Sequence, residues 1–428
     1  MTRKPRYTLL ILGILFFIVA APTLVLYVQG KLPVLGNRRM QPTGIISVAS
    51  DPSGAEVYMD GTSKDTTPAA IRFLPTGDYT IHIHKNGYWD WQKRLSVVAG
   101  HVTYANPNPD KQVLLKRDIP LELAQKVGRY AVFEEGLVYS HGSVLTILPN
   151  LSEPDRTAEV TLPEQPIELI TGPGSQFLVI RSTHSIFLFN PSGSVLSNIT
   201  KQLPSTTHIA VTSTHVLALT ADRNLAMLPF GKLTTKPVVL ASNVHAFHTR
   251  DSDVYYVRQD TDGFGLHHAT LGTNGFEGDQ LLAKKIPAQA AQLYIDSTKA
   301  VFVLSENTLY RINTQAEAIA TGVTNASDQT GTLRYTTAGE LWWYDSNSNT
   351  PRLVSRSSAG FTESIVRPSL QYALFVQGTQ LIALELDDRG EQNRYILDTA
   401  DRLTNLQLLN SESLTYQADD SLYILTLR

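Results

Sequence analysis

The stretch Pro237–Leu271, PVVLASNVHAFHTRDSDVYYVRQDTDGFGLHHATL, decides the fold. The run from Pro237 to Ala241 reads as an outer strand that finishes one structural repeat. After the break at Ser242-Asn243, Val244–His248 reads as the inner strand of the next. Val254–Arg258 and Leu266–Leu271 then pair across a turn containing Thr261-Asp262-Gly263. An aliphatic residue, usually followed by a large one, marks the later strand of that pair. The marker recurs as Val144-Leu145, Ile186-Phe187, Leu225-Ala226, Leu266-His267, Leu309-Tyr310, Leu341-Trp342, Leu381-Ile382 and Leu422-Tyr423. The intervals run from 32 to 43 residues, with a mean of about 40.

Blades of a β-propeller recur at about 40–45 residues, whereas a β-sandwich shows turns without so long a regular period. The sequence therefore predicts an all-β chain with a propeller of four-stranded blades over 107–428. Eight blades are expected, with seven as the alternative because the interval before Leu341 is short. Two stacked sandwiches are the remaining all-β reading. The last blade, ending with Leu422–Leu427, is expected to lack its fourth strand. Gln112–Arg117, with Val113, Leu114 and Leu115, is expected to supply it and close the ring.

Composition agrees with many half-buried strands. Of 428 residues, 18% are charged and 42% hydrophobic, against about 25% charged in an ordinary domain. A net charge of -3 argues against a nucleic-acid coat. The chain has no cysteine, which removes disulfides, thiolate zinc sites, iron–sulfur clusters and cysteine nucleophiles.

At the N-terminus, Arg3, Lys4 and Arg6 precede an uncharged run from Tyr7 to Gly30. Its roughly 22 apolar residues would span about 33 Å, enough for a hydrocarbon core of about 30 Å. Leu12 and Phe16 fall near mid-span, and Tyr7 and Tyr27 at the two ends, where interfacial aromatics belong. Pro22 directly after Ala21 is a poor residue to follow a cleavage point, so an uncleaved signal-anchor is expected over 7–30. Residues 1–6 would form a cytoplasmic tail and 31–43 a basic linker. The bulk of the chain would then be extracytoplasmic.

Residues 44–106 read as a small β-module. Asp51-Pro52-Ser53-Gly54 stops one strand, Asp60-Gly61 and Asn86-Gly87 are hairpin signals, and Tyr79, Ile81 and Ile83 alternate with Thr80, His82 and His84. Four segments carry a resemblance: PSGAEVYMDG at Pro52–Gly61, Thr67-Pro68, LPTGDYTIHI at Leu74–Ile83 and GYWDW at Gly87–Trp91. Together they resemble the PEGA domain family. The matching positions are Pro52, Gly54, Ala55, Asp60, Gly61, Pro68, Gly77, Tyr79, Gly87 and Tyr88, with Ser53 in place of the family's glutamate. The resemblance implies a bacterial or archaeal surface-associated β-module near a membrane, with structural rather than catalytic signature residues.

Candidate chemistry is sparse. His82 and His84 share a strand face, as metal ligands could, yet no third ligand is legible. His245, His248, His267 and His268 fall within one repeat but alternate between faces. Asp260-Thr261-Asp262-Gly263 starts like a calcium loop, but Leu271 stands where its closing acid is needed, so an Asx-rich turn is the better reading. Gly172-Pro173-Gly174 begins like a nucleotide fingerprint, and Phe177 breaks it. No catalytic residue, metal site or cofactor is expected.

The functional expectation is a membrane-anchored, single-pass envelope protein that binds a cell-envelope glycan or a surface protein through a non-catalytic propeller. A glycan hydrolase or lyase assembled from blade loops, and a structural subunit of an envelope assembly, are the alternatives.

Overall fold

The computed structural model describes residues 3–28, 42–106, 111–133, 136–150, 157–172, 175–191, 195–232, 236–287 and 292–428. It divides into two compact units. The first holds residues 1–118 with Leu384–Tyr395 and Arg428, and the second holds Ile119–Ala383 and Ile396–Leu427.

The single α-helix among the described residues, α1, runs from Arg3 to Val28 with Pro22 inside it. Its described side chains, Leu10 to Val25, are mostly exposed, including Phe16 at 74% and Phe17 at 70%. Among the described residues no helix is long and apolar enough to cross a membrane. The side chains of Tyr7 and Tyr27, and most of the expected linker, lie outside the described residues.

In the first unit, Thr62–Thr66, Glu56–Met59, Gly77–His84 and Trp91–Val97 form one antiparallel sheet in that order. Ala69–Pro75, Thr43–Val48 and Val102–Tyr104 form a second sheet. Asp60 and Gly61 take φ of 50° and 77° in the tight turn between Glu56–Met59 and Thr62–Thr66, the left-handed geometry that Asp-Gly favours. Ala55, Val57, Ile81, Ile83, Trp91 and Leu95 fill the core, so alternation along Gly77–His84 points its isoleucines inward.

The expected closing strand belongs here instead. Gln112–Val113 pairs in parallel with Ser50–Asp51, and the Trp89 amide donates to Leu115 O at 2.8 Å. Val113, Leu114 and Leu115 are at most 5% exposed. Three consecutive buried apolar side chains suit a core segment, not the outer strand of a sheet.

From Leu121 onward the described residues form eight four-stranded antiparallel sheets, seven of them meanders of strands in chain order and the eighth completed by an earlier strand. We number them one to eight: 129–161, 166–198, 206–241, 244–284, 292–321, 325–356, 364–399 and 403–426. This is the blade organisation of a β-propeller. Each marker pair lies in the third strand of its sheet. The short interval before Leu341 reflects sheet six, whose first two strands, Asn325–Ser327 and Arg334–Thr336, have three residues each.

Sheet eight takes its outer strand from Leu121–Ala124, which pairs antiparallel with Ser421–Thr426. Leu121 is 62% exposed, as an outer edge permits. Sheets one and eight also meet directly. The Tyr130 hydroxyl donates to Asn405 O, Gln417 Nε2 donates to Val127 O at 2.9 Å, and Val127, Tyr130 and Leu137 share a core with Leu409 and Leu422.

Candidate functional site

First strands of neighbouring sheets lie side by side: Arg129–Phe133 adjoins Pro166–Ile170 and Leu403–Leu408, and Val244–Arg250 adjoins Gln292–Ile295. Polar side chains on or next to these inner strands are therefore brought together from distant parts of the sequence.

Glu168 of sheet two lies 3.6 Å from Arg181. His208 of sheet three stands edge-on to Phe247 of sheet four, with ring centroids 5.0 Å apart. His248 Nε2 lies 3.1 Å from Asp328 Oδ2, which also accepts the Ile295 amide at 2.6 Å. Arg334 of sheet six is only 9% exposed, and among the described residues no carboxylate lies within ion-pair distance of it. Gln407 Oε1 of sheet eight accepts the Val132 amide at 3.2 Å.

These groups share one electrostatic environment. Burial, and then the neighbouring His248, lower the pKa of His208, with Glu168 opposing. Burial pushes Tyr294 up to about 12, with Asp328 adding to the shift and Arg334 opposing it. Arg334 is lowered by burial against the pull of Glu363 and Tyr294. Glu363 also acts on Tyr130 of sheet one, whose pKa burial raises strongly. The result is an inner-strand cluster of cations, carboxylates, imidazoles and a phenol that can both donate and accept hydrogen bonds.

Sequence reading found only fragments of it. Of the four histidines of sheet four, only His248 joins the cluster. His245 bonds Arg223 and stands edge-on to Phe264. His267 lies 3.1 Å from Asp260, and His268 lies 3.0 Å from Asp253. Thr261 and Asp262 form a two-residue turn, while the Asp260 carboxylate binds Arg258 and His267. In the first unit, His82 and His84 do share a face, and both reach Asp90, at 3.3 and 2.7 Å. Burial works against the Asp90 carboxylate, but hydrogen bonds from His84 and His82 hold its pKa down. Among the described residues no group of three His, Asp or Glu side chains could hold a metal ion.

Gly172 has a steric role. A Cβ there would lie 1.7 Å from Val211 O, so the backbone approach between sheets two and three requires glycine. Pro173 and Gly174 lie outside the described residues.

The signature positions of the first unit are structural. Ala55 is fully buried, and Gly54, Gly61, Gly77 and Gly87 all have positive φ. Pro52 and Pro68 follow cis peptide bonds. Asp60 Oδ1 accepts the Thr80 amide at 2.9 Å, and the Tyr79 hydroxyl donates to Pro75 O at 3.0 Å. Tyr88 bridges to Lys116 through its backbone.

No curated protein matches the chain. Among solved structures, BamB from Moraxella catarrhalis is 12% identical with a TM-score of 0.48, covering 73% of this chain and 99% of its own. The dihydro-heme d1 dehydrogenase NirN is 12% identical with a TM-score of 0.49, covering 71% of each chain. Hsv2 of Kluyveromyces lactis is 11% identical with a TM-score of 0.43, covering 64% of this chain and all of its own. The PEGA domain model matches residues 43–109. The chain thus carries a PEGA domain, followed by the four-stranded blades of a β-propeller.

Proposed function

We propose that this chain is a membrane-anchored envelope protein whose propeller binds a cell-envelope glycan without chemically changing it. The reading is supported by the polar side chains on or next to the inner strands, Glu168, Arg181, His208, His248, Arg334 and Glu363, which act on one another electrostatically in pairs from separate sheets. Sugar hydroxyls both donate and accept, so they suit a surface of mixed donors and acceptors. Glu168 lies beside the Arg181 guanidinium and Asp328 beside the His248 imidazole, so each carboxylate already has a partner, which favours binding over two-carboxylate hydrolysis.

The anchor is α1. Its support is the exposed apolar surface from Leu10 to Val25 together with the uncharged run in the sequence. Closure of the propeller as an eight-bladed ring is supported by the meeting of sheets one and eight.

Two experiments test the reading. Full-length protein in detergent, applied to an array of bacterial envelope polysaccharides, is expected to bind at least one of them. Arg334→Ala, confirmed as folded, is expected to lose that binding, and unchanged binding would overturn the site. Native protein is expected to fractionate with membranes and Leu12→Lys/Phe16→Lys to be released, since each mid-span charge costs about 2.5–3.5 kcal/mol on insertion scales. Soluble wild-type protein would overturn the anchor.

A further inference from the structure

Sheet four differs from its neighbours. Its last three strands, Asp253–Asp260, Gly263–Leu271 and Phe276–Lys284, have 8, 9 and 9 residues, against 4 to 6 in sheet three. A cleft of about 660 Å³ opens at the end of this hairpin, lined by Arg258, Asp260, Phe264, His267, Lys284 and Lys285 among others.

One face of the hairpin carries a fixed polar network beneath the cleft. Arg258 Nε donates to Asp260 Oδ1 at 2.8 Å, and His267 Nε2 lies 3.1 Å from Asp260 Oδ2. Both carboxylate oxygens are thus engaged, so Asp260 orients its neighbours. His267 is 4% exposed, stacks on Tyr256 at 5.1 Å and lies 3.6 Å from Asp279, which accepts the Tyr256 hydroxyl at 2.7 Å. Gly265 makes the arrangement possible: a Cβ there would lie 2.6 Å from Asp260 Oδ2 and 3.1 Å from His267 Nε2.

Arg258 is held through its Nε edge. Its Nη1 lies 4.0 Å from Asp279 Oδ2, beyond hydrogen-bonding distance. The side chain is 32% exposed and lines the cleft, with Lys284 and Lys285 also lining it. A guanidinium oriented from behind through Nε, with Lys284 and Lys285 lining the same cleft, can turn its terminal N–H groups to the planar geometry of an oxyanion.

We propose that the sheet-four cleft binds a ligand through a carboxylate or phosphate group, with Arg258 as its primary contact and Asp260 and His267 as positioning residues. This site does not use the inner-strand cluster and stands or falls separately from the glycan reading.

The test is calorimetric titration of the full chain with inorganic phosphate and, separately, with glucuronate. Saturable binding of phosphate alone identifies a phosphate-bearing ligand, and binding of glucuronate alone a carboxylate-bearing one. Both outcomes support the site if Arg258→Lys weakens binding about tenfold or more, because lysine keeps the charge but cannot form two parallel hydrogen bonds. Lys284→Ala/Lys285→Ala is expected to weaken binding by a smaller factor and, being on exposed side chains, to preserve the fold. No saturable binding of either probe at millimolar concentration overturns the proposal. So does wild-type affinity in a folded Arg258→Lys protein, or in the double lysine variant if Arg258→Lys does not fold.

Discussion

Lys93 Nζ lies 3.0 Å from Glu385 Oε2 with both side chains essentially buried, which makes this pair the most deeply enclosed ion pair described in the first unit. Asp387 Oδ2 lies 3.0 Å from the same ammonium, and Asp387 O accepts from it at 2.7 Å. The remaining valences are also met. Trp91 Nε1 and Asn393 Nδ2 each donate to Glu385 at 2.8 Å, and Arg389 grips Asp387. Burial opposes the charge on Asp387, but hydrogen bonds from Arg389 and the charge of Lys93 hold its pKa down.

Such a network tolerates loss of one member badly, because a carboxylate is left buried without its cation. Lys93→Met is expected to destabilise the first unit by about 3–5 kcal/mol. Hydrogen exchange across Trp91–Val97 and Leu384–Tyr395 measures this. Unchanged protection in both segments would contradict it.

Pairing of Leu121–Ala124 with Ser421–Thr426 predicts a second effect. Replacing those four residues with Gly-Ser-Gly-Ser leaves Ser421–Thr426 as an open edge whose Leu422, Ile424 and Leu425 can pair with other chains. Lower melting temperature and increased light scattering are expected, each kcal/mol lost corresponding to about 2–4 °C. Replacing Val102–Tyr104, an outer strand already partly exposed, is the control and should cost less.

Gly265→Ala is expected to push Asp260 away from His267 and to cost about 1–3 kcal/mol through overpacking. Oxyanion binding should fall with it. Gly142→Ala provides a comparison: its Cβ meets nothing within 4 Å, though its φ of 59° carries backbone strain alone. Equal melting curves and equal binding for Gly265→Ala and wild type would contradict the packing argument.

His208 makes stability depend on pH. Its pKa is depressed in the folded protein by burial and by His248, so the unfolded chain binds a proton first as pH falls. The contribution is present in full above the unfolded value of about 6.5 and is lost as pH drops through that value toward the folded one. His208→Gln is expected to flatten the melting temperature between about pH 7 and pH 5 relative to wild type. Depressed carboxylates such as Asp90 and Asp260 act in a separate window, below about pH 4.

Features set by near neighbours were legible in the sequence. Asp60-Gly61 announced its turn because two adjacent residues must adopt positive φ, a requirement that amino-acid type alone expresses. Ile81 and Ile83 announced their face because the strand period is two. Asp90 was not legible as the partner of His82 and His84, because the strand beginning at Trp91 had first to fold back beside Gly77–His84.

The sequence by itself determined the all-β class and the blade period, since each is written in spacings repeated along the chain, while the PEGA domain was legible through local motifs between Pro52 and Trp91. Tertiary structure alone decided the rest. Two short segments whose starts are nine residues apart, Gln112–Val113 and Leu121–Ala124, both form strands, and burial separates them. The first fits a closed core beside Ser50–Asp51, whereas the second can leave Leu121 in water at the edge of sheet eight. The inner-strand cluster was hidden for the same physical reason. His208, His248, Asp328, Arg334 and Glu363 carry no common motif, and their influence on one another depends on how separate sheets are placed side by side.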